Sequence, residues 1–128
     1  MPTTTPRRSA TEPALFRACP AVALLNNVSN RWVTQVIGAL GMRGSLRYGE
    51  LSREIPDVSQ KMLTQTLRGL ERDGMLTRTV TPTVPVRVDY ELSALGLELY
   101  ELLLQVKKWA EANVERVDRA REEYDSAQ

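Results

Sequence analysis

The feature that most constrains this chain is a short run, residues 59–92, in which a well-bounded amphipathic helix is followed at once by two strand-like segments joined through prolines. Ser59 can cap a helix by accepting from an early backbone N–H, and Gly74, directly after Asp73, can take the left-handed conformation that ends one. Between them Leu63, Thr66, Leu67 and Leu70 recur at helical spacing, so one stripe of the helix faces a core. Residues 75–80 and 87–92 then alternate in the strand manner. Their connection, Thr81-Pro82-Thr83-Val84-Pro85-Val86, is stiff and poor in backbone donors, which suits an exposed hairpin loop better than a central strand. A helix followed by such a hairpin predicts a helix with a wing.

Upstream, an apolar helical segment over 20–25 leads into Asn26-Asn27, and a second helix from about Asn30 turns Trp32, Val33, Val36, Ile37 and Leu40 inward, with Gly41 and Gly44 expected to close it. Leu46-Arg47 is expected to supply a brief strand, and residues 48–55 a third helix with Leu51 and Ile55 on its inner face. Pro56 ends that helix, because a residue before proline avoids helical angles, and Asp57-Val58 complete a short turn into Ser59. Helix, tight turn, helix is the arrangement whose second helix enters a DNA major groove.

After Ser93 a last helix is apolar at Leu95, Leu99, Leu102, Val106 and Trp109, steps of four, three, four and three, and Leu97, Leu103 and Leu104 widen its apolar surface. A single broad core face in a monomer would use the same residues. The surplus favours pairing with a second copy, since helix-turn-helix proteins commonly pair to read two half-sites. The expected fold class is mainly α with a small β-hairpin wing (α+β), a winged helix-turn-helix with N- and C-terminal dimerisation helices. Residues 1–13, rich in Thr and Pro, are expected to form a disordered arm, 14–115 the winged domain with its dimerisation helix, and 116–128 a charged helical or frayed tail.

At 128 residues and 42% hydrophobic content the chain suits one globular domain rather than a two-domain enzyme. Its net charge of +1 is no argument for nucleic acid by itself, but the distribution is uneven: residues 1–87 carry twelve Lys or Arg against six acids, and residues 88–128 five against ten. A basic front is offset by an acidic C-terminal helix. One cysteine and no histidine exclude an internal disulfide and every His-containing zinc, triad or metalloprotease arrangement. Glu50 and Glu54 sit one helical turn apart on a polar face, the ordinary spacing of a solvated helix, and no Gly-rich phosphate loop is present. No cofactor or metal is therefore expected. There is no apolar run long enough for a bilayer and no signal-peptide stretch, so a cytoplasmic location without a membrane partner is expected.

Away from the apolar stripe, the helix over 60–72 presents Gln60, Lys61, Thr64, Gln65, Arg68 and Arg72. Amides and guanidinium groups suit base edges, while hydroxyls and ammonium groups suit phosphate oxygens. Any polar helix face can be merely solvated; the neighbouring turn and wing favour double-stranded DNA as the partner. Gln60, Lys61, Thr64, Gln65 and Arg68 are the expected major-groove contacts, with Ser59, Arg78 and Arg87 supporting phosphate or wing contacts. For Arg78 and Arg87 a structural ion pair is an equal alternative, given Glu71 and Asp89 nearby. The rival reading is a winged-helix module that binds protein, but protein interfaces centre on aromatic or apolar anchors, which this face lacks. An enzyme is the weakest option.

In this layout the chain resembles the HxlR family of bacterial winged-helix transcriptional regulators. The resemblance spans roughly Cys19 to Trp109 and rests on Cys19-Pro20, Arg31-Trp32, Arg47-Tyr48, Glu50-Leu51, Ser59-Gln60-Lys61-Met62-Leu63-Thr64, Leu67-Arg68, Leu70-Glu71, Asp73-Gly74, Arg78, Val84-Pro85, Val88, Tyr90, Leu92-Ser93 and Gly96. Departures are Asn30-Arg31 for the usual Gly-Lys, Val86 for the second wing proline and Asp89 for a Glu. The resemblance implies a homodimer built from N- and C-terminal helices, with 59–73 as recognition helix, acting on promoters as repressor or activator. It also implies a candidate sensor: several relatives detect electrophiles or oxidants through a cysteine matching Cys19, and others respond to small organic effectors. With no second cysteine, any disulfide of Cys19 would join the partner subunit's Cys19 or a small thiol. A small buried apolar residue at a helix start is the plainer reading of Cys19.

Overall fold

The computed structural model describes residues 20–128; the expected arm 1–13 and Cys19 lie outside the described residues. Pro20–Val28 forms α1, Arg31–Arg43 α2, Ser45–Arg47 β1, Tyr48–Glu54 α3, Gln60–Arg72 α4, Leu76–Thr81 β2, Arg87–Leu92 β3 and Ala94–Ala127 α5. Local chemistry sets most of these ends. Asn30 caps α2, its side-chain oxygen accepting from the Trp32 N–H at 2.8 Å. Gly44, at φ 89°, ends the helix, whereas Gly41 lies within it. The expectation that both glycines close the helix is thus corrected: Gly41 is where α5 approaches, and a Cβ there would meet the Tyr100 ring.

Between α3 and α4 the tight turn runs through Ile55, Pro56, Asp57 and Val58. Asp57 takes φ 65°, a left-handed conformation that short polar side chains accept more readily than branched ones. Ser59 then caps α4, its hydroxyl accepting from the Met62 N–H at 3.0 Å. At the other end the Met75 N–H reaches back to the Leu70 carbonyl at 2.9 Å and the Gly74 N–H to Glu71 at 3.1 Å, with Gly74 at φ 77°. This paired closure satisfies the last carbonyls of the helix. It also moves the start of the wing: Met75, expected as the first strand residue, spends its N–H on the helix cap, and β2 begins at Leu76.

The three strands form one antiparallel sheet in the order β1-β3-β2. Arg78 lies opposite Tyr90 and Tyr90 opposite Leu46, so these share one face with Leu76, Val80, Val88 and Leu92. That face carries the buried Leu46, Leu76 and Leu92 onto the core; Ser45, Arg47, Thr77, Thr79, Thr81, Arg87, Asp89 and Glu91 take the outer face. The core is closed by Val36, Ile37 and Leu40 of α2, Leu51 and Ile55 at α3, Leu63, Leu67 and Leu70 of α4, and Met75. Burying each such aliphatic side chain stabilises by about 1.5–3 kcal/mol.

Helix α5 starts at a tight junction. The Ser93 hydroxyl accepts from the Gly96 N–H at 3.1 Å and donates to the Gly74 carbonyl at 2.6 Å, while the Ser93 N–H donates to Met75 O at 3.0 Å. Gly96 is buried directly against the Met75 carbonyl, leaving no room for a side chain. From there α5 runs 34 residues, through the segment 116–127 that was expected as a helical or frayed tail. At 1.5 Å per residue it is roughly 50 Å long. Beyond Leu103 almost every residue is exposed, so its distal part leaves the core.

Candidate nucleic-acid interface

Four buried residues of α4, Leu63, Thr66, Leu67 and Leu70, point it at the core, and Thr66 satisfies its buried hydroxyl by donating to the Met62 carbonyl at 2.7 Å. The opposite side follows from the helical period: Lys61, Gln65, Arg68 and Arg72, steps of four, three and four, form one exposed line. Two of the expected contacts flank it. Gln60 is exposed at the first turn, and Thr64 is half-buried. Ser59 serves as the cap that fixes where the helix begins.

A residue from another helix also tethers α4. The Tyr48 hydroxyl lies 3.1 Å from the Gln60 carbonyl, to which it donates, and 3.2 Å from Thr64 Oγ1. This ties the start of α3 to the first turn of α4, and it engages the Thr64 hydroxyl inside the protein. In the sequence Tyr48 stands out only as the start of the expected third helix and as part of a family signature. Nothing local marks it, because its partners lie 12 and 16 residues away.

Beside α4 a groove of about 410 Å³ is lined by Tyr48, Thr64, Leu67, Arg68, Glu71, Arg78 and Tyr90. The structure therefore brings Arg68 of α4 and Arg78 of β2 to one polar cleft between helix and wing. Among the described residues neither guanidinium holds an ion pair, although Glu71 lines the same cleft. Gln65 lies on the other flank of the helix, bordering a smaller cavity of about 220 Å³ against Asn27 and Asn30.

Arg87 does not join this group. It sits on the outer sheet face, where its Nε donates to Asp89 Oδ2 at 2.9 Å and its Nη2 to Oδ1 at 3.3 Å. Hydrogen bonding to the Asp89 carboxylate, with the charge attraction that accompanies it, raises the Arg87 pKa above its ordinary value. Of the two alternatives open for each wing arginine, Arg87 takes the ion pair and Arg78 stays unpaired among the described residues. Arg72 is exposed on the same line as Arg68, one helical turn further on.

The apolar row of α5 divides. Leu99 packs half-buried against the chain's own core, while Leu95, Leu102, Val106 and Trp109 remain exposed, Trp109 to 64%. Among the described residues no group of three or more His, Cys, Asp or Glu side chains is placed to hold a metal ion, and no helix is long and apolar enough to cross a membrane.

Comparison with known proteins agrees with this geometry. The model of the HxlR-like helix-turn-helix family matches residues 27–118. The chain is 39% identical over 105 residues to the HTH-type transcriptional regulator YtfH of Escherichia coli (strain K12), covering 82% of each chain. Among solved structures it is similar to ytfH from Salmonella typhimurium, at 38% identity and TM-score 0.73 over 81% of this chain and 92% of that one. The redox regulator HypR in its reduced form matches at 33% identity and TM-score 0.72, over 79% of this chain and 99% of that one.

Proposed function

Because the chain belongs to the HxlR-like helix-turn-helix family of transcriptional regulators, we propose that it binds double-stranded DNA sequence-specifically, as a homodimer on a palindromic operator. The observation that carries this reading is the exposed face of α4: an unpaired row of amide and cationic side chains on a capped helix, with Arg78 of the wing beside it. In this reading Gln60, Lys61, Gln65 and Arg68 meet base edges and phosphates in the major groove, Thr64 contributes from the groove flank, and Ser59 and Arg78 hold the backbone on either side. The positive end of the α4 dipole at Ser59 adds attraction for a phosphate.

Pairing through α5 supplies the second half-site. Leu95, Leu102, Val106 and Trp109 are apolar and uncovered, and removing such surface from water stabilises by about 25 cal/mol per Å² before the costs of association. Leu99 belongs to the edge of that surface and to the subunit's own core. Footprinting on the DNA upstream of the protein's own gene tests the proposal: a protected two-fold site is expected, and no protection at low salt would contradict it. A surface that instead retained only a protein partner would support the interaction-module reading.

A redox response through Cys19 is supported by the likeness to HypR, which is named a redox regulator. Diamide is expected to change operator affinity in the wild type and not in Cys19→Ser. An equal response in both would assign the signal to something other than this thiol.

A further inference from the structure

Two cations belong to the wing, and they face opposite ways. Arg78 opens on the cleft beside α4; Arg87, next to the hairpin loop, lies on the outer face of the sheet. There the forked guanidinium already uses two donors, Nε and Nη2, on the two oxygens of Asp89. Side chains two residues apart on a strand point the same way, so β3 itself presents the carboxylate to the guanidinium. Arg47 stands opposite Asp89 on β1, but no ion pair joins them. Around the loop the exposed large apolar side chains are Val80, Val84 and Val86, and over residues 76–92 two arginines are matched by Asp89 and Glu91.

We propose that Asp89 keeps Arg87 out of phosphate contact, so that the wing meets DNA without neutralising charge at its tip and backbone affinity is left to α4 and Arg78. The inference rests on the DNA-binding reading above. The carboxylate takes the Nε/Nη2 fork, one of the two edges by which a guanidinium can grip a phosphate, and a phosphate brought to the remaining edge would be repelled by the Asp89 charge. Non-specific hold on DNA grows with each phosphate neutralised, because each releases condensed counterions. Silencing one cation per wing therefore lowers the sequence-independent part of the affinity, leaving Asp89 to set how strongly the wing holds the backbone.

The test is a salt titration of binding to a duplex of unrelated sequence, comparing wild type, Asp89→Asn and the double variant Asp89→Asn with Arg87→Ala. Asn is isosteric, and the site is on the sheet's outer face, so all three are expected to fold. Freeing Arg87 should steepen the log–log salt slope by about 0.9 per protomer and strengthen low-salt binding roughly three- to tenfold. The double variant should return to the wild-type slope. An unchanged or shallower slope in Asp89→Asn would overturn the inference, since Arg87 would then be idle or already positioned for DNA by Asp89. A steepening that persists in the double variant would overturn it too, assigning the effect to the Asp89 charge alone. A wild type that binds no duplex at any salt concentration is a different result: it sinks the DNA-binding reading and this inference with it.

Discussion

Arg68 and Arg78 reach one cleft from different elements, and neither is bound to an acid among the described residues. That leaves both free for an external anion. If Arg68 pairs with a guanine edge, Arg68→Ala should cost about 1–3 kcal/mol and relax preference at one base pair, whereas loss of a phosphate contact would weaken all sequences alike and flatten the salt slope. Binding measured across a panel of singly substituted operators separates the two. Asp57 carries a different kind of burden, a backbone conformation. With φ at 65° in the turn that sets the angle between α3 and α4, Asp57→Ile is expected to destabilise by about 1–2 kcal/mol, and Asp57→Gly to be neutral or mildly stabilising. Chemical denaturation checks this; equal midpoints for the two variants would contradict the account.

At the scale of elements, α4 is tethered to α3 through one hydroxyl. Tyr48→Phe keeps the ring and removes the bonds to the Gln60 carbonyl and Thr64 Oγ1, so stability should fall by about 0.5–1.5 kcal/mol. Operator affinity should fall with it, because the first turn of α4 loses its tether. A variant with unchanged stability and unchanged affinity would show that the core contacts of α4 orient it alone. How much of this was legible in the chain depends on distance along it. The ends of α4 were readable because Ser59 and Gly74 act within a few residues, and the hairpin because its alternation and prolines are local. The role of Tyr48 was not, since a contact across 16 residues leaves no periodic trace. The separation of Arg78 from Arg87 was hidden for a related reason: which residues share a sheet face depends on the register across the loop, here Arg78 with Tyr90 and Thr81 with Arg87. Gly41 was misread as a helix end because a glycine required by close packing with α5 looks, in sequence, like one required by a turn.

For the molecule as a whole, α5 is the element that carries the most uncovered apolar surface, at Leu95, Leu97, Leu102, Val106 and Trp109. Its first turns are locked to the sheet through Ser93 and Gly96, so the direction of the exposed remainder is fixed by the core. A copy of the same helix is the partner that the account requires, and Leu102→Glu would place a charge within the shared apolar surface. Sedimentation equilibrium is expected to show a dimer for the wild type at micromolar concentration and a shift toward monomer for the variant. A monomeric wild type would contradict the pairing. The central claim, that a dimer reads sequence through α4, is tested most directly by measuring wild-type affinity for its footprinted site and for a scrambled duplex in the same near-physiological salt. A ratio of at least about 10³ is the expected result, as for specific regulators generally. Affinities equal within error would contradict it, leaving only non-specific attraction to the backbone.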